Sequence, residues 1–336
     1  MKKKLIVTAM LASLSSVAFA QSSVSIYGIV DAGFSSVNNG VNTTTGIDSG
    51  LQSGSRLGFK GTESLDNGLS ASFALETGIN VDTGGFGQRN TAFGRQAWVG
   101  LNSDKLGSAK LGLQNTPLRN AVEAVDPFSI GLAGNALKTL GYGTYQERIK
   151  NAVTYTTPNY SGLSGQVAYG FGEVDGSTSA NRTVGLGVDY DFNNVSVRTA
   201  YNKLNGNGTL KNSDTRDVFV GGTYNFGFVK AHAAFADRKV DSNTAVSSFV
   251  TRNYMLGASF PFGSHNVMAS YIRNDVRDFA NADSNQYSVG YAYAMSKRTN
   301  LYTSYGHYTN ESLSSLNVAT SGATGSQLNV GFRHIF

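Results

Sequence analysis

The chain has 336 residues, with no cysteine, 4 prolines, 1 tryptophan and 40 glycines, and only 15% of it is charged. The lack of cysteine excludes disulfide frameworks, thiolate catalysis and cysteine-ligated metals. Low charge combined with 17 tyrosines and 19 phenylalanines excludes a disordered, solvating chain. The 27 basic and 22 acidic residues give +5, which would suit a nucleic-acid binder only if the cations clustered in the folded part.

They do not cluster there. Met1–Ala20 reads as a secretory signal peptide: Lys2-Lys3-Lys4, an apolar stretch from Leu5 to about Leu14, and small residues closing on Ala18-Phe19-Ala20. The apolar run is broken by Thr8, Ser13, Ser15 and Ser16, and it is shorter than the roughly 20 residues a membrane-spanning helix needs. Cleavage before Gln21 removes three lysines and no acid, leaving +2, and no nucleic-acid partner is expected.

From Gln21 onward the pattern has period two. The first clear alternation pairs Ser55, Leu57, Phe59 and Gly61 against Arg56, Gly58, Lys60 and Thr62; the next runs Leu69/Ala71/Phe73/Leu75. Later come Leu163/Gly165/Val167/Tyr169, Val184/Leu186/Val188/Tyr190, Val195/Val197/Thr199/Tyr201 and Val218/Val220/Gly222/Tyr224. Val229/Ala231/Ala233/Phe235, Tyr254/Leu256/Ala258/Phe260, Tyr287/Val289/Tyr291/Tyr293 and Leu328/Val330/Phe332 complete the series. Such alternation marks strands with one apolar and one polar face.

The connections alternate too. Seven are tight, among them Asp66-Asn67-Gly68, Asp104 to Gly107, Asp191 to Asn194 and Asn225-Phe226-Gly227; eight are longer and rich in Asn, Ser, Gly and Thr. Together they require sixteen strands. Tyr160, Tyr190, Phe192, Tyr224, Phe226, Phe260, Phe262 and Tyr293 crowd the tight turns, as in a girdle at a bilayer interface. A soluble sandwich would have to bury rows of Arg, Lys, Glu and Gln, whereas a closed transmembrane barrel turns its apolar face to lipid and its polar face to water. The expected fold is therefore all-β: a 16-stranded antiparallel transmembrane β-barrel with short periplasmic turns and long external loops, spanning 21–336.

Val24–Phe34 (VSIYGIVDAGF), Ser49–Gly78 (SGLQSGSRLGFKGTESLDNGLSASFALETG) and Gly94–Gln114 carry a close resemblance to the general diffusion porins of Gram-negative beta-proteobacteria. The resemblance implies an outer-membrane homotrimer whose third loop folds into the lumen as a constriction. It also implies a carboxy-terminal aromatic, here Phe336, read by the barrel-assembly machinery during insertion.

The longest loop, about 115–146, carries Leu118, Val122, Val125, Phe128, Ile130 and Leu132, which suits a segment packed on the inner wall; an apolar surface contacting another subunit is the alternative. Its acids are Glu123 and Asp126; the opening Asn115–Phe128 (NTPLRNAVEAVDPF) departs from the acidic-aromatic pattern the resemblance implies, which leaves open how many carboxylates face the pore and whether Arg119 offsets them. Parity puts Arg56 and Lys60 on the lumen side of the second strand, and Arg148 and Lys150 on one face of the sixth, opposite Ile149, Val153 and Tyr155. The resemblance maps a basic wall onto Arg56, Arg95 and Arg148. Under strict alternation an inward Arg95 would turn Ala97 and Val99 inward and Gln96 and Trp98 outward. A basic wall (Arg56, Lys60, Arg95, Arg148, Lys150) facing acids at a water-filled constriction focuses a field that favours anions; the same charges could instead only pair and stiffen the site. Lys110 and Arg198, on polar faces, would be solvated lumen residues, or else would extend the basic track.

The four histidines, His232, His265, His307 and His334, show no metal spacing, His232 reads as a hydrated lumen residue, and no nucleophile–base motif orders the many Ser and Asp residues. No enzyme, cofactor or metal is expected. The expectation is a channel for passive diffusion of ions and small hydrophilic solutes, with outer-membrane lipids and lipopolysaccharide as surroundings. A solute-specific channel, or a barrel acting as an adhesin, is the alternative.

Overall fold

The computed structural model describes residues 23–140, 147–206, 213–241 and 248–336. The expected leader with its junction at Gln21, and residues 141–146 at the end of the long loop, lie outside them. In chain order the strands are β1 (Ser23–Asn38), β2 (Thr43–Ser49), β3 (Arg56–Ser64), β4 (Leu69–Gly78), β5 (Gln96–Ser103), β6 (Gly107–Asn115), β7 (Arg148–Thr156) and β8 (Leu163–Gly170). They continue as β9 (Thr183–Phe192), β10 (Val195–Leu204), β11 (Asp214–Asn225), β12 (Lys230–Asp241), β13 (Phe249–Phe262), β14 (His265–Val276), β15 (Ser284–Ala294), β16 (Thr299–Asn310) and β17 (Gly325–Ile335).

These seventeen segments make sixteen barrel strands. The outer half of β1 pairs with β2 (Ala32 opposite Ser49, Asn38 opposite Thr43) and its inner half pairs with β3 (Ile29 opposite Arg56, Ser23 opposite Thr62). β2 and β3 are thus one strand interrupted by an inward excursion at residues 50–55. Asp31 holds this excursion: its carboxylate accepts from the amides of Gln52 (2.9 Å) and Ser53 (2.6 Å), and its backbone carbonyl accepts from the Gly50 amide. Each later strand pairs antiparallel with the one before it, and β17 closes onto β1 with Phe34 opposite Val330. Closure leaves no unpaired edge among the described strands, the condition for strands in lipid. The last residue joins the seam: Phe336 and Gly28 exchange backbone bonds at 3.1 Å each way, and the Phe336 ring fills the space a Cβ at Gly28 would need.

Side-chain parity follows the register. On β11 to β13, Val220, Leu256 and Tyr254 are exposed on the outer wall, while Phe219, Ala236 and Met255 face inward and are almost fully buried. All eight tight-turn aromatics named above are exposed. No described helix is long and apolar enough to cross a membrane, which says nothing of crossing by strands.

What the inward apolar residues bury against is the third loop. It contains α1 (Pro117–Val125) and α2 (Ala136–Thr139). Pro117 stands in the first turn, where its missing N–H costs nothing, and the Thr116 hydroxyl caps α1 by accepting from the Arg119 amide. Leu118, Val122, Val125, Leu137 and Leu140 pack on Ala200, Phe219, Ala236, Met255 and Ile272 of the inner wall; Phe128 and Leu132 pack on Met268 and Tyr302. The core of this barrel is the interface between a loop and its own wall.

Candidate pore constriction

The loop is fixed by both shape and polar contacts. On the wall strands glycines stand where the loop comes closest: a Cβ would lie 2.9 Å from Pro117 at Gly185, 3.0 Å from Val125 at Gly221, 2.4 Å from Pro127 at Gly257, 2.7 Å from Phe128 at Gly290 and 2.7 Å from the Ala133 carbonyl at Gly306. These glycines form a shallow trench across β9 to β16. Around it, Asn253 and Asn274 amides donate to the carbonyls of Leu140 (3.2 Å) and Thr139 (3.0 Å), and the Ser288 and Tyr308 hydroxyls donate to Ala133 O (3.2 and 3.1 Å). Thr139 also bonds the Gln286 side chain.

His232 belongs to this framework. It is buried, with Nδ1 2.7 Å from the Val125 carbonyl and Nε2 3.0 Å from the Ser259 hydroxyl. The expectation of a hydrated lumen histidine is corrected: the loop covers it.

Opposite the trench, the loop and the wall of β3 to β7 enclose about 240 Å³ of water-accessible space. Four guanidiniums line it: Arg56, Arg95 and Arg148 from the wall and Arg119 from α1, together with the carboxylates of Glu123 and Glu147 and the polar groups of Gln52, Ser53, Gln88 and Asn135. A third carboxylate lies behind them. Glu76 is 3% exposed; its Oε1 is 2.6 Å from Arg95 Nε and 3.9 Å from Arg56 Nη1, and its Oε2 accepts from the Tyr27 hydroxyl at 3.0 Å. Arg119 Nη1 contacts Glu123 at 2.6 Å, one helical turn away, and its Nε is 3.6 Å from Glu147, which also lies 3.5 Å from Arg148 Nη1. The sequence reading missed Glu76 and Glu147.

Arg56, Arg95, Arg148 and Glu123 therefore meet in one space, and the remaining residues of the expected set do not. Lys60 is exposed, four residues along β3 from Arg56 (about 13 Å), with its ammonium 5.0 Å over the Tyr27 ring. Lys150 is exposed and outside the lining. Parity failed on β7 because of a bulge: the register slips between Gly112 and Gln114, Asn151 takes φ +50°, and Ile149 lies with Ala152 and Ala168.

Asp126 is not an eyelet acid. It is 3% exposed, and its carboxylate accepts the amides of Phe128, Ile130 and Ala136 at 2.9 Å each, tying the loop to itself. Burial pushes its pKa up to about 6 against the opposing pull of those three amides.

Arg95 reaches the space without the parity that alternation demanded. It sits in a bend just before β5, so Gln96 and Trp98 face the lumen, where Lys110 lies 4.2 Å over the Trp98 ring, and Val99 is 55% exposed on the outer wall. Arg198 is paired with Asp189 and Asp191. Among the described residues no group of three His, Asp or Glu is placed to hold a metal.

The comparisons agree with this geometry. A family profile described as "Gram-negative porin" matches residues 7–313. An outer membrane porin protein of Bordetella pertussis is 32% identical over 398 aligned residues covering all of both chains, and outer membrane porin protein 32 of Delftia acidovorans is 32% identical, again over all of both. The solved structure of an anion-selective porin from Comamonas acidovorans is 29% identical, with a TM-score of 0.81, covering 94% of this chain and 100% of the other. OmpF of Salmonella typhi, 19% identical with a TM-score of 0.71, shares the barrel fold. A closed barrel narrowed by its third loop, matched along its length, makes this chain a member of the Gram-negative porin family.

Proposed function

We propose that the protein is an outer-membrane diffusion channel for ions and small hydrophilic solutes, with a mild preference for anions set at the third-loop constriction. The carrying observation is that four guanidiniums and two carboxylates line the narrow space, with the third carboxylate, Glu76, buried behind the arginines. Arginine stays charged at any accessible pH, and a low-dielectric wall focuses its field on passing ions. A reversal potential under a KCl gradient across a planar bilayer is the test. Chloride preference supports the assignment; cation preference refutes it.

A homotrimer is the assembly that fits the outer wall. Within residues 43–115 the exposed large apolar side chains are Ile47, Leu65, Leu69, Val81, Val99, Leu101, Leu106 and Leu111, with Phe86 the sole aromatic, whereas from Tyr155 onward exposed tyrosines and phenylalanines recur on strand after strand. A wall facing headgroups carries the aromatic girdle; a wall without one suits contact with further copies of the chain. Crosslinking of the native membrane protein through cysteines placed at Val99 and Leu101 tests this. Phe336, paired into the seam, supports the reading that the carboxy terminus is what the assembly machinery engages. The leader at 1–20 supports export through a cleaved signal, with 21–336 as the mature barrel.

A further inference from the structure

The chain has a single tryptophan, Trp98, and it stands in the lumen beside a lysine. The wall around it, on the short-turn side of the arginine cluster, alternates rings and ammoniums. In one inward row Lys60 of β3 lies opposite Ala74 of β4, and Ala74 lies opposite Trp98 of β5. Tyr27 of β1 lies opposite Gly58, one inward position nearer the constriction; Lys110 of β6 lies opposite Gly100, one inward position farther from it. Each lysine rests on a ring: the Lys60 ammonium is 5.0 Å over Tyr27 and the Lys110 ammonium 4.2 Å over Trp98. The wall thus carries the same ring–ammonium pair twice, about 10 Å apart across two strand spacings.

Small residues beneath let these long side chains lie along the wall. A Cβ at Gly58 would run into the Tyr27 ring, a Cβ at Gly100 would lie 2.8 Å from Lys110 Cγ, and Ala74 is covered. Both rings are fixed by their polar edges. The Tyr27 hydroxyl donates to Glu76 Oε2 at 3.0 Å, and the Trp98 indole N–H donates to Gln96 Oε1 at 2.8 Å. Both rings stay half-exposed, Lys110 likewise, and Lys60 is exposed. Neither ammonium is tied to an acid: among the described residues the one lysine with a carboxylate within 4 Å is Lys239, paired with Asp241.

We propose that this wall is a subsite for aromatic carboxylates, the ring against Trp98 and the carboxylate on Lys110, with Tyr27 and Lys60 offering the same pair nearer the constriction. A planar anion gains a ring contact and a counter-charge at once. An aliphatic acid gains only the second, and a neutral ring only the first. A sugar would need acceptors for its hydroxyls, and those nearby are engaged: Glu76 by Arg95 and Tyr27, and Gln96 Oε1 by Trp98. The Asn102 amide is likewise spent on the Ser70 and Ser72 hydroxyls. The assignment rests on the channel reading and names one class of solute that the channel passes.

Because Trp98 is the sole tryptophan, its fluorescence reports the subsite directly in detergent-solubilised native protein. Titration with sodium benzoate at constant ionic strength is expected to change the emission saturably, with half-saturation on the order of 1 mM, weak enough for release. Acetate and benzamide, which each keep one half of the recognition, are expected to need about tenfold more. The K60M/K110M variant is expected to weaken the benzoate response by about the same factor. K60Q/K110Q gives the same direction should the methionine variant fail to fold. A response to acetate or benzamide as strong as that to benzoate overturns the proposal, as does an unchanged midpoint in the lysine variants or no saturable response at all. Single-channel chloride current is recorded in parallel, with and without benzoate. Conducting channels whose current and Trp98 emission both ignore benzoate would sink the subsite alone, whereas an absence of conductance would sink the channel reading on which it rests.

Discussion

Neutralising Arg148 is the sharpest test of the constriction. Arg148 is the wall arginine whose removal disturbs the rest least: its partner Glu147 is 45% exposed and stays solvated without it, whereas removing Arg95 would strand the buried Glu76. An ion passing about 5 Å from a unit charge feels about 0.8 kcal/mol at the permittivity of water. Screening over a Debye length of ~10 Å at 0.1 M salt reduces this to about 0.5 kcal/mol. That enriches chloride roughly twofold and depletes potassium by the same factor, so Arg148→Gln is expected to lower the chloride-to-potassium permeability ratio about fivefold. The assay is the reversal potential across a planar bilayer under a KCl gradient, repeated at several total concentrations, because the effect must grow as salt is diluted. An unchanged ratio at low salt, with conductance intact, would show that the guanidinium pairs locally and does not act on the permeating ions.

Three further outcomes follow from contacts around the loop. Gly257→Val sets a side chain where a Cβ already meets Pro127 Cγ at 2.4 Å, so the loop is expected to lift, at a cost of about 1–3 kcal/mol, with a larger single-channel conductance and new protease cleavage between 115 and 140. Asp126 has a folded pKa above its ordinary value, so its stabilising effect is present in acid and is lost as pH rises through about 6; unfolding temperature should fall from pH 4 to pH 7 in the wild type and less steeply in Asp126→Asn. Deleting Phe336 removes two backbone hydrogen bonds to Gly28, worth about 1 kcal/mol each, and the ring that covers it, so the heat-modifiable folded band on a gel should diminish.

Much of this was legible in the sequence because a barrel wall repeats every two residues, and its turns announce themselves through Asn, Gly and Asp. The same alternation placed Arg56 correctly and failed wherever the strand was not regular. Arg95 stands before β5 begins, Lys150 sits at a bulge that reverses the parity of Ile149, and β2 and β3 are one strand broken by residues 50–55. No local signal marks such breaks; Asn151 at φ +50° looks in sequence like any other asparagine. The apolar content of the long loop suggested a segment packed on the inner wall, with a subunit contact as the alternative, and the described part, up to Leu140, packs inward. It could not show that Asp126 would turn back on three amides of its own loop, or that Gly221, Gly257 and Gly290 were small because Val125, Pro127 and Phe128 would lie against them. Those facts exist only once strands far apart in sequence share a wall.

The carboxylates at the constriction explain why the expected anion preference is mild. Four guanidiniums in one small space have six mutual repulsions, and at an effective permittivity near 20 two cations about 6 Å apart cost about 3 kcal/mol. Without compensation the arginines would splay or the loop would lift from its trench. Glu76 holds Arg95 and reaches Arg56, Glu123 holds Arg119, and Glu147 lies between Arg119 and Arg148, so every arginine of the set has an acid within 4 Å. Each acid that permits the cluster also subtracts from the field that the cluster presents to a passing ion. Burying one of the three, Glu76 at 3% exposure, behind the arginines puts part of that subtraction on the wall side and leaves the guanidiniums nearer the water. The geometry thus trades field strength for a constriction that keeps its shape, as a channel for many solutes requires.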